Sequence, residues 1–226
     1  MVVISILTFN KLAFTKKCLE SVFKTTNSDF KVVVSDNGST DGTIEYLSSL
    51  KNIQLILNNQ NVGFSHAHNQ VIRMHSGSDI VLMNNDLEVP ENWLFVLRKE
   101  LKENSLGAVS PAIQVSNGLN VGAVLDSRAK GRSLINDDRE PDWITGSCFY
   151  IARSTIDKIG LFDENYIFYY DDVDYCFRMK QAGLKFKCVK EIVIKHNDGT
   201  SSTPESKKML MENSRQYFAK KWGYQV

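Results

Sequence analysis

The sequence predicts an α/β fold with a mostly parallel central sheet flanked by helices. Three observations carry this. Short apolar, β-branched runs alternate with segments of helical spacing through the first half of the chain. The first run, Val2–Leu7, is apolar almost throughout, as befits a strand covered on both faces. Polar turn formers follow four successive strands, where ligands of such sheets collect.

The elements follow in order. After the strand Val2–Leu7, Lys11–Lys24 places Leu12, Thr15, Leu19, Val22 and Phe23 on one helical face. Lys31–Ser35 is a β-branched strand ending at Asp36, and Asp41-Gly42 leads into a helix over Thr43–Leu50. Ile53–Leu57 is the third strand, Ser65–His75 a helix and Asp79–Met83 the fourth strand. Pro90 stands near the start of a helix over Glu91–Lys102, where first-turn proline is tolerated. The second half is less regular. Residues 112–142, with Gly118, Gly122 and Gly131, read as loop or short strands. Trp143–Ile151 reads as a strand through Gly146, Asp171–Ala182 as a helix, and Phe186–Val189 and Ile192–Lys195 as short strands. Pro204 opens a basic, amphipathic helix to about Trp222.

Composition narrows the class. A chain of 226 residues with 42 % hydrophobic and 23 % charged content can bury an ordinary globular core. Its formal net charge of +1 supplies no bulk field for nucleic acid. Cys18, Cys148, Cys176 and Cys188 show no CxxC spacing, so reduced thiols in a cytosol are the simplest reading. No stretch reads as a signal peptide or a membrane span. The expectation is a cytoplasmic protein, either a whole small enzyme or a domain of a longer chain.

The polar strand ends carry the candidate chemistry: Thr8/Asn10, Asp36–Asp41, Asn58–Gly63 and Asn84–Asp86. In Ser35–Thr43 a strand-end carboxylate could bind a uracil edge or a ribose diol, and Gly38 and Gly42 bring backbone close to a ligand. The carboxylate of Asn84-Asn85-Asp86 could hold a divalent cation that bridges phosphates. Phe168–Asp174 places three carboxylates beside aromatics, a costly cluster unless metal, partner or solvent offsets it, and one could take a proton from a hydroxyl. His196 follows a strand and could complete a metal site with Asp86. His66 and His68, two positions apart on a helix, make a poor metal pair. Each segment also has a purely structural reading as a turn, a cap or an acidic first turn.

Together these pieces resemble the inverting family 2 glycosyltransferases of the GT-A fold, from residue 3 to about 223, with bacterial rhamnosyl- and glucosyltransferases of surface glycan synthesis as the nearest pattern. The resemblance rests on Ile4–Asn10, Ser35–Thr43, Asn58–Asn69, Asn84-Asn85-Asp86, Trp143–Cys148 and Tyr170–Arg178, in that order and spacing. It implies a single domain over 1–226 with a Rossmann-like central sheet, a small acceptor-side subsheet and a C-terminal helix. Its nucleotide-sugar half is 1–111, its acceptor-side half 112–203 and its last helix 204–226.

It also implies roles. Asp36 contacts the nucleobase; Thr8, Asn10, Asp41, Asn61, Gly63, Asn84 and Asn85 lie around the donor. Asp86, with His196 as a second protein ligand, binds Mn²⁺ or Mg²⁺. Asp172 is the base, with Asp171 as its competitor and Asp174 a third candidate, while Trp143, Gly146 and Arg178 serve the acceptor side. The partners implied are a nucleotide diphosphate sugar, with uridine diphosphate sugars the default and deoxythymidine diphospho-rhamnose the alternative, and a glycan acceptor on polysaccharide, lipid or protein. Asn84 replaces the first acid of the family's DxD motif, so a ribose contact there is weaker or absent.

Rivals fit less well. No GxGxxG follows the first strand, which disfavours a nicotinamide oxidoreductase. Thr8-Phe-Asn-Lys-Leu12 stands where a sugar nucleotidyltransferase carries a Gly-rich, Arg-containing loop. The alternative of a non-catalytic nucleotide-sugar or glycan-binding module is disfavoured by the presence of both Asp86 and the Asp171–Asp174 cluster. The last helix carries Lys207, Lys208, Arg215, Lys220 and Lys221 beside Leu210, Tyr217, Phe218 and Trp222. It could pack on the core, join a homo-oligomer or touch the inner face of an anionic membrane.

Overall fold

The computed structural model describes residues 1–197 and 204–225. In chain order its elements are β1 (Val2–Thr8), α1 (Leu12–Thr25), β2 (Phe30–Asp36), α2 (Thr43–Ser49), β3 (Gln54–Leu57), α3 (Phe64–Met74), β4 (Asp79–Asn84) and β5 (Leu87–Glu88). There follow α4 (Trp93–Glu103), β6 (Ala108–Val115), β7 (Gly118–Leu125), β8 (Gly131–Ile135), β9 (Cys148–Ile151), α5 (Arg153–Ile159), α6 (Asp171–Gln181), β10 (Phe186–His196) and α7 (Pro204–Trp222). The strands form one sheet in the order β3-β2-β1-β4-β9-β6-β10-β5, and β7 and β8 extend from β6 as a small antiparallel subsheet. β3, β2, β1, β4, β6 and β10 all point the same way; β9 runs against β4 and β6, and β5 against β10.

Alternation along the strands feeds two cores. Val2, Ile4 and Ile6 of β1 join Val32, Val34, Val81 and Met83 in one, with Leu19 and Val22 of α1 and Leu97 of α4. Val3, Val33, Ile80 and Leu82 face the other, against Val71 of α3 and Met179 of α6. The parallel strands therefore read as unbroken apolar runs, because helices cover both faces.

The structure corrects several boundaries. Asn92 is left-handed at the N-cap of α4, so Pro90 precedes that helix and is not in its first turn. Trp143–Ile151 is not one strand. Trp143 makes an isolated bridge to Ala123, the chain turns at Thr145–Ser147, and only Cys148–Ile151 pairs with β4. Gly146 gives its N–H to a carboxylate and not to a sheet neighbour. The two short strands expected before His196 are one strand, β10, with an irregularity between Val189 and Val193. The same irregularity adjoins Pro111, which pairs with Val189 from inside β6; local disruption of a ladder is where a strand tolerates proline. The helix α5 carries no clear periodic signal in seven residues.

A third apolar cluster docks α7 through Tyr166, Tyr170, Val173, Phe218 and Ala219. Asp174, fully buried on α6, ties that cluster together. One of its oxygens accepts from Trp222 Nε1 at 2.9 Å and lies 2.8 Å from Lys221 Nζ, and the other accepts from Arg178 Nε at 2.9 Å. Removing a carboxylate from such a node strands its cations. Asp174→Ala should therefore cost about 3 kcal/mol in urea unfolding, and Asp174→Asn, which keeps an acceptor, should cost less. An unchanged midpoint in Asp174→Ala would mean that α7 is held elsewhere.

Candidate active site

At the carboxyl ends of β1, β2 and β4 lies a cavity of about 710 Å³, bounded on its far side by the first turn of α6, the 143–147 turn and α7. Its size is that of a small-molecule site. Asn61, Asn84, Asn85, Asp86, Trp143, Gly146, Asp171, Asp172 and His196 all line it. Residues up to 135 apart in sequence are thus brought to one space, since β4, β9, β6 and β10 are neighbours in the sheet.

Asn85 and Asp86 form the turn between β4 and β5. Asn85 Nδ2 donates to Thr8 Oγ1 at 3.0 Å and to Thr15 Oγ1 at 2.9 Å, which pins the turn to the end of β1. β5 then pairs antiparallel with the end of β10, Leu87 opposite His196. Asn197 donates its backbone N–H to the Asp86 carbonyl at 2.9 Å. This short contact sets His196 Nε2 3.1 Å from Asp86 Oδ1. A carboxylate oxygen with an imidazole nitrogen suits Mn²⁺, and Mg²⁺ through the oxygen. Among the described residues no group of three His, Cys, Asp or Glu could hold a metal by itself, so diphosphate oxygens and water would complete the coordination. Residues 198–203, which follow Asn197, lie outside the described residues.

Opposite chemistry stands at the start of α6. Tyr169 and Tyr170 are consecutive left-handed residues at φ 67° and 63°, a conformation costing about 1–3 kcal/mol for each non-glycine residue. Tyr170 is fixed there by its hydroxyl, which donates to the Ala129 carbonyl at 2.6 Å. The bend turns the first turn of α6 toward the cavity. Asp172 Oδ2 accepts the Gly146 N–H at 2.8 Å, and Oδ1 accepts the Val173 N–H at 2.8 Å. Burial raises the Asp172 pKa, and these backbone donors offset part of that rise. Asp171 is raised well above the usual carboxylate range by burial first and by the adjacent Asp172 charge second. Asp171 therefore holds a proton longer, and Asp172 keeps free lone pairs with which to take one.

Other expected residues stand behind the cavity wall. Asp36 is fully buried; Oδ1 accepts from the Gly38 and Ser39 N–H groups and Oδ2 from Ser39 Oγ, so the carboxylate shapes its own loop. Its neighbour Asn37 reaches the cavity instead, with Nδ2 donating to Asn61 Oδ1 at 2.9 Å. Period-two alternation past the end of β2 was the available signal for Asn37. Asn10 Oδ1 accepts the Thr40 N–H and Asp41 Oδ2 the Leu12 N–H, which laces the loops after β1 and β2 together. Gly63 lies against the Ile167 carbonyl, 2.5 Å from where a Cβ would stand, so only glycine lets the two loops meet. Arg178 pairs with Asp174 and donates to the Ile159 and Leu161 carbonyls, away from the cavity. Phe9, Phe64, Thr145, Ser147 and Lys207 line the cavity and had no distinguishing sequence signal.

A sheet with its cavity at these strand ends, an acid just after β4, acids at the start of α6 and a wall from the turn before β9 are the features of a GT-A fold. The family model for glycosyl transferase family 2 matches residues 3–160, and the chain belongs to that family. Over 213 residues it is 25 % identical to an N-acetylglucosaminyl-diphospho-decaprenol L-rhamnosyltransferase of Mycobacterium tuberculosis, covering 74 % of this chain and 66 % of the relative. Over 185 residues it is 23 % identical to the low-salt glycan biosynthesis hexosyltransferase Agl10 of Haloferax volcanii, covering 76 % of this chain and 60 % of the relative. The chain thus spans less than two thirds of the length of either.

Among solved structures, GalNAc-T7 with UDP, GalNAc and Mn²⁺ superposes with a TM-score of 0.79 at 14 % identity, covering 98 % of this chain and 48 % of that one. The mannosyltransferase PcManGT from Pyrobaculum calidifontis, with GDP-Man and Mn²⁺, gives 0.65 at 19 % identity, covering 88 % and 58 %. The fold is GT-A. No helix among the described residues is long and apolar enough to cross a membrane.

A Cβ on Gly146 would stand 3.1 Å from Asp172 Cβ, and the Gly146 backbone lies outside the left-handed region. Gly146→Ala should therefore fold normally yet shift Asp172, lowering kcat by about tenfold or more; a variant with wild-type kcat would mean that Asp172 is displaced without consequence. The raised pKa of Asp171 makes the folded state hold its proton above the unfolded carboxyl value of about 4, so stability falls as pH rises through that window. Asp171→Asn escapes this loss. Its melting temperature should exceed wild type by more at about pH 8 than at about pH 4; an equal difference at both would place Asp171 in contact with water.

Proposed function

We propose that the chain is an inverting, metal-dependent hexosyltransferase that moves a hexose from a nucleoside diphosphate sugar to a hydroxyl of a glycan acceptor. One observation carries the reading: the Asp86–His196 pair and the Asp171–Asp172 pair line the same cavity, with Trp143 and Gly146 between strand and helix. The first pair offers a cation site for a diphosphate, and the second offers a base. The rhamnosyltransferase and hexosyltransferase relatives support the reaction class, and the Mn²⁺ complexes support the cofactor.

In this reading Asp172 takes the proton from the acceptor hydroxyl as that oxygen attacks the anomeric carbon. The Gly146 and Val173 N–H groups orient it, and burial strengthens it as a base. Asp86 and His196 would hold the cation, whose charge would offset that of the diphosphate leaving group. Asn37 and Asn61 form a hydrogen-bonding edge at the nucleotide end. Trp143 gives the acceptor sugar an apolar face. A uridine diphosphate sugar is the default donor, and the rhamnosyltransferase relative adds weight to deoxythymidine diphospho-rhamnose. Contact of α7 with an anionic membrane through Lys208 and the exposed Met209 belongs to the same reading and suits a lipid-linked acceptor.

The test is a donor panel scored by nucleoside diphosphate release, with Mn²⁺, with Mg²⁺ and with chelator. One donor should turn over, chelator should stop it, and Asp172→Asn should lower kcat by about a thousandfold or more while leaving donor binding intact. Full turnover by Asp172→Asn would refute the base, and turnover in chelator would refute the metal.

A further inference from the structure

The cavity is short of positive charge for a ligand that carries a diphosphate. Its described walls bear the carboxylates of Asp86, Asp171 and Asp172, and Lys207 is the one lysine or arginine among them. Even with Asp171 protonated, one divalent cation does not neutralise Asp86, Asp172 and a diphosphate together. Lys207 forms no ion pair with a described carboxylate, although Glu205 and Glu212 share its helix.

Its position is built. Lys207, Leu210, Met211 and Ser214 fall on one helical face, and that face continues to the buried Phe218. Ser214 Oγ donates to the Phe168 carbonyl at 2.6 Å and Arg215 to the Arg128 carbonyl at 2.7 Å. Beyond them Lys221 and Trp222 grip Asp174. The far part of α7 is thus fixed to the helix that carries Asp172, and its near part holds Lys207 over the cavity, half-buried beside Leu210 and Met211. Lys208, the next residue, is exposed.

We propose that Lys207 grips a diphosphate in this cavity. The inference rests on the transferase reading and adds to it a residue from outside the 3–160 span that the family model matches. Leu210 and Met211 flank it in the cavity lining, and an ammonium with fewer water neighbours holds a phosphate oxygen more strongly. The diphosphate belongs either to the donor nucleotide or to a lipid-linked acceptor sugar, and the chemistry of recognition is the same.

The test is calorimetric binding of UDP, of dTDP and of a water-soluble short-chain prenyl diphosphate, each with Mn²⁺, to wild type, Lys207→Met, Lys207→Arg and Lys208→Met. Circular dichroism checks that all are folded. Lys207→Met should bind one class of probe about tenfold more weakly or worse, with Lys207→Arg restoring most of the loss and Lys208→Met matching wild type. Loss confined to the nucleotides assigns the donor diphosphate, and loss confined to the prenyl probe assigns the acceptor. Wild-type affinity of Lys207→Met for every probe overturns the proposal and leaves the transferase reading standing. An equal loss in Lys208→Met overturns it as well, because bulk charge would then explain the effect. Failure of wild type to bind any probe sinks the transferase reading itself.

Discussion

Burial of β1 on both faces constrains everything near the cavity. Val2, Val3, Ile4, Ser5 and Ile6 are fully covered, and each aliphatic side chain among them contributes about 1.5–3 kcal/mol of transfer free energy. A strand so placed has no solvent face on which to carry chemistry. Its one mid-strand polar group, Ser5 Oγ, is matched to His68 Nδ1 at 2.8 Å, and burial pushes the His68 pKa down to about 3 so that the ring stays neutral. Function is therefore displaced to the strand ends. There the backbone leaves the ladder, and its donors and acceptors must be satisfied by side chains.

The strand-end loops meet that demand by bonding to one another. Asn10, Ser39 and Asp41 lace the loops after β1 and β2, and Asn85 ties the β4 turn to Thr8 and Thr15. The left-handed residues Asn10 and Lys11 let the chain turn sharply enough for this. The lacing has a consequence for reading the site. A polar residue in these loops has about equal use as a strut and as a ligand contact. Asp36, Thr8 and Asp41 bond only within these loops and to the first turn of α1, while Asn37 and Asn85 do both, bonding neighbouring segments and lining the cavity beside Asn84.

The acids on α6 show the opposite arrangement. The helix N-terminus favours negative charge in the first turn, but burial and mutual repulsion oppose it at Asp171 and Asp172. Asp174, in the same turn but facing the core, is fully matched by Arg178, Lys221 and Trp222. Three carboxylates in one turn thus divide their work. Asp174 contributes stability, and Asp171 and Asp172 are held in a state that is costly to fold.

The sequence by itself determined the alternating β and α order of the first half, the mostly parallel sheet and the polar strand ends, because period and apolar content are local properties. It also determined the family through the order of several short segments. The tertiary structure decided which polar residue of each segment faces the cavity, since that depends on what the side chain's neighbours already bond. Asp36 and Asn37 are adjacent, similar in size and both buried, yet Asp36 bonds back to its own loop while Asn37 bonds across to Asn58 and Asn61 and lines the cavity. The Asp86–His196 contact needed a two-residue pairing between β5 and the end of β10 that no local pattern announces. The place of Lys207 needed an aromatic cluster and a buried carboxylate to fix α7 from its far end. Long-range pairing and docking of this kind are set by complementary surfaces, and a linear pattern records only one side of each.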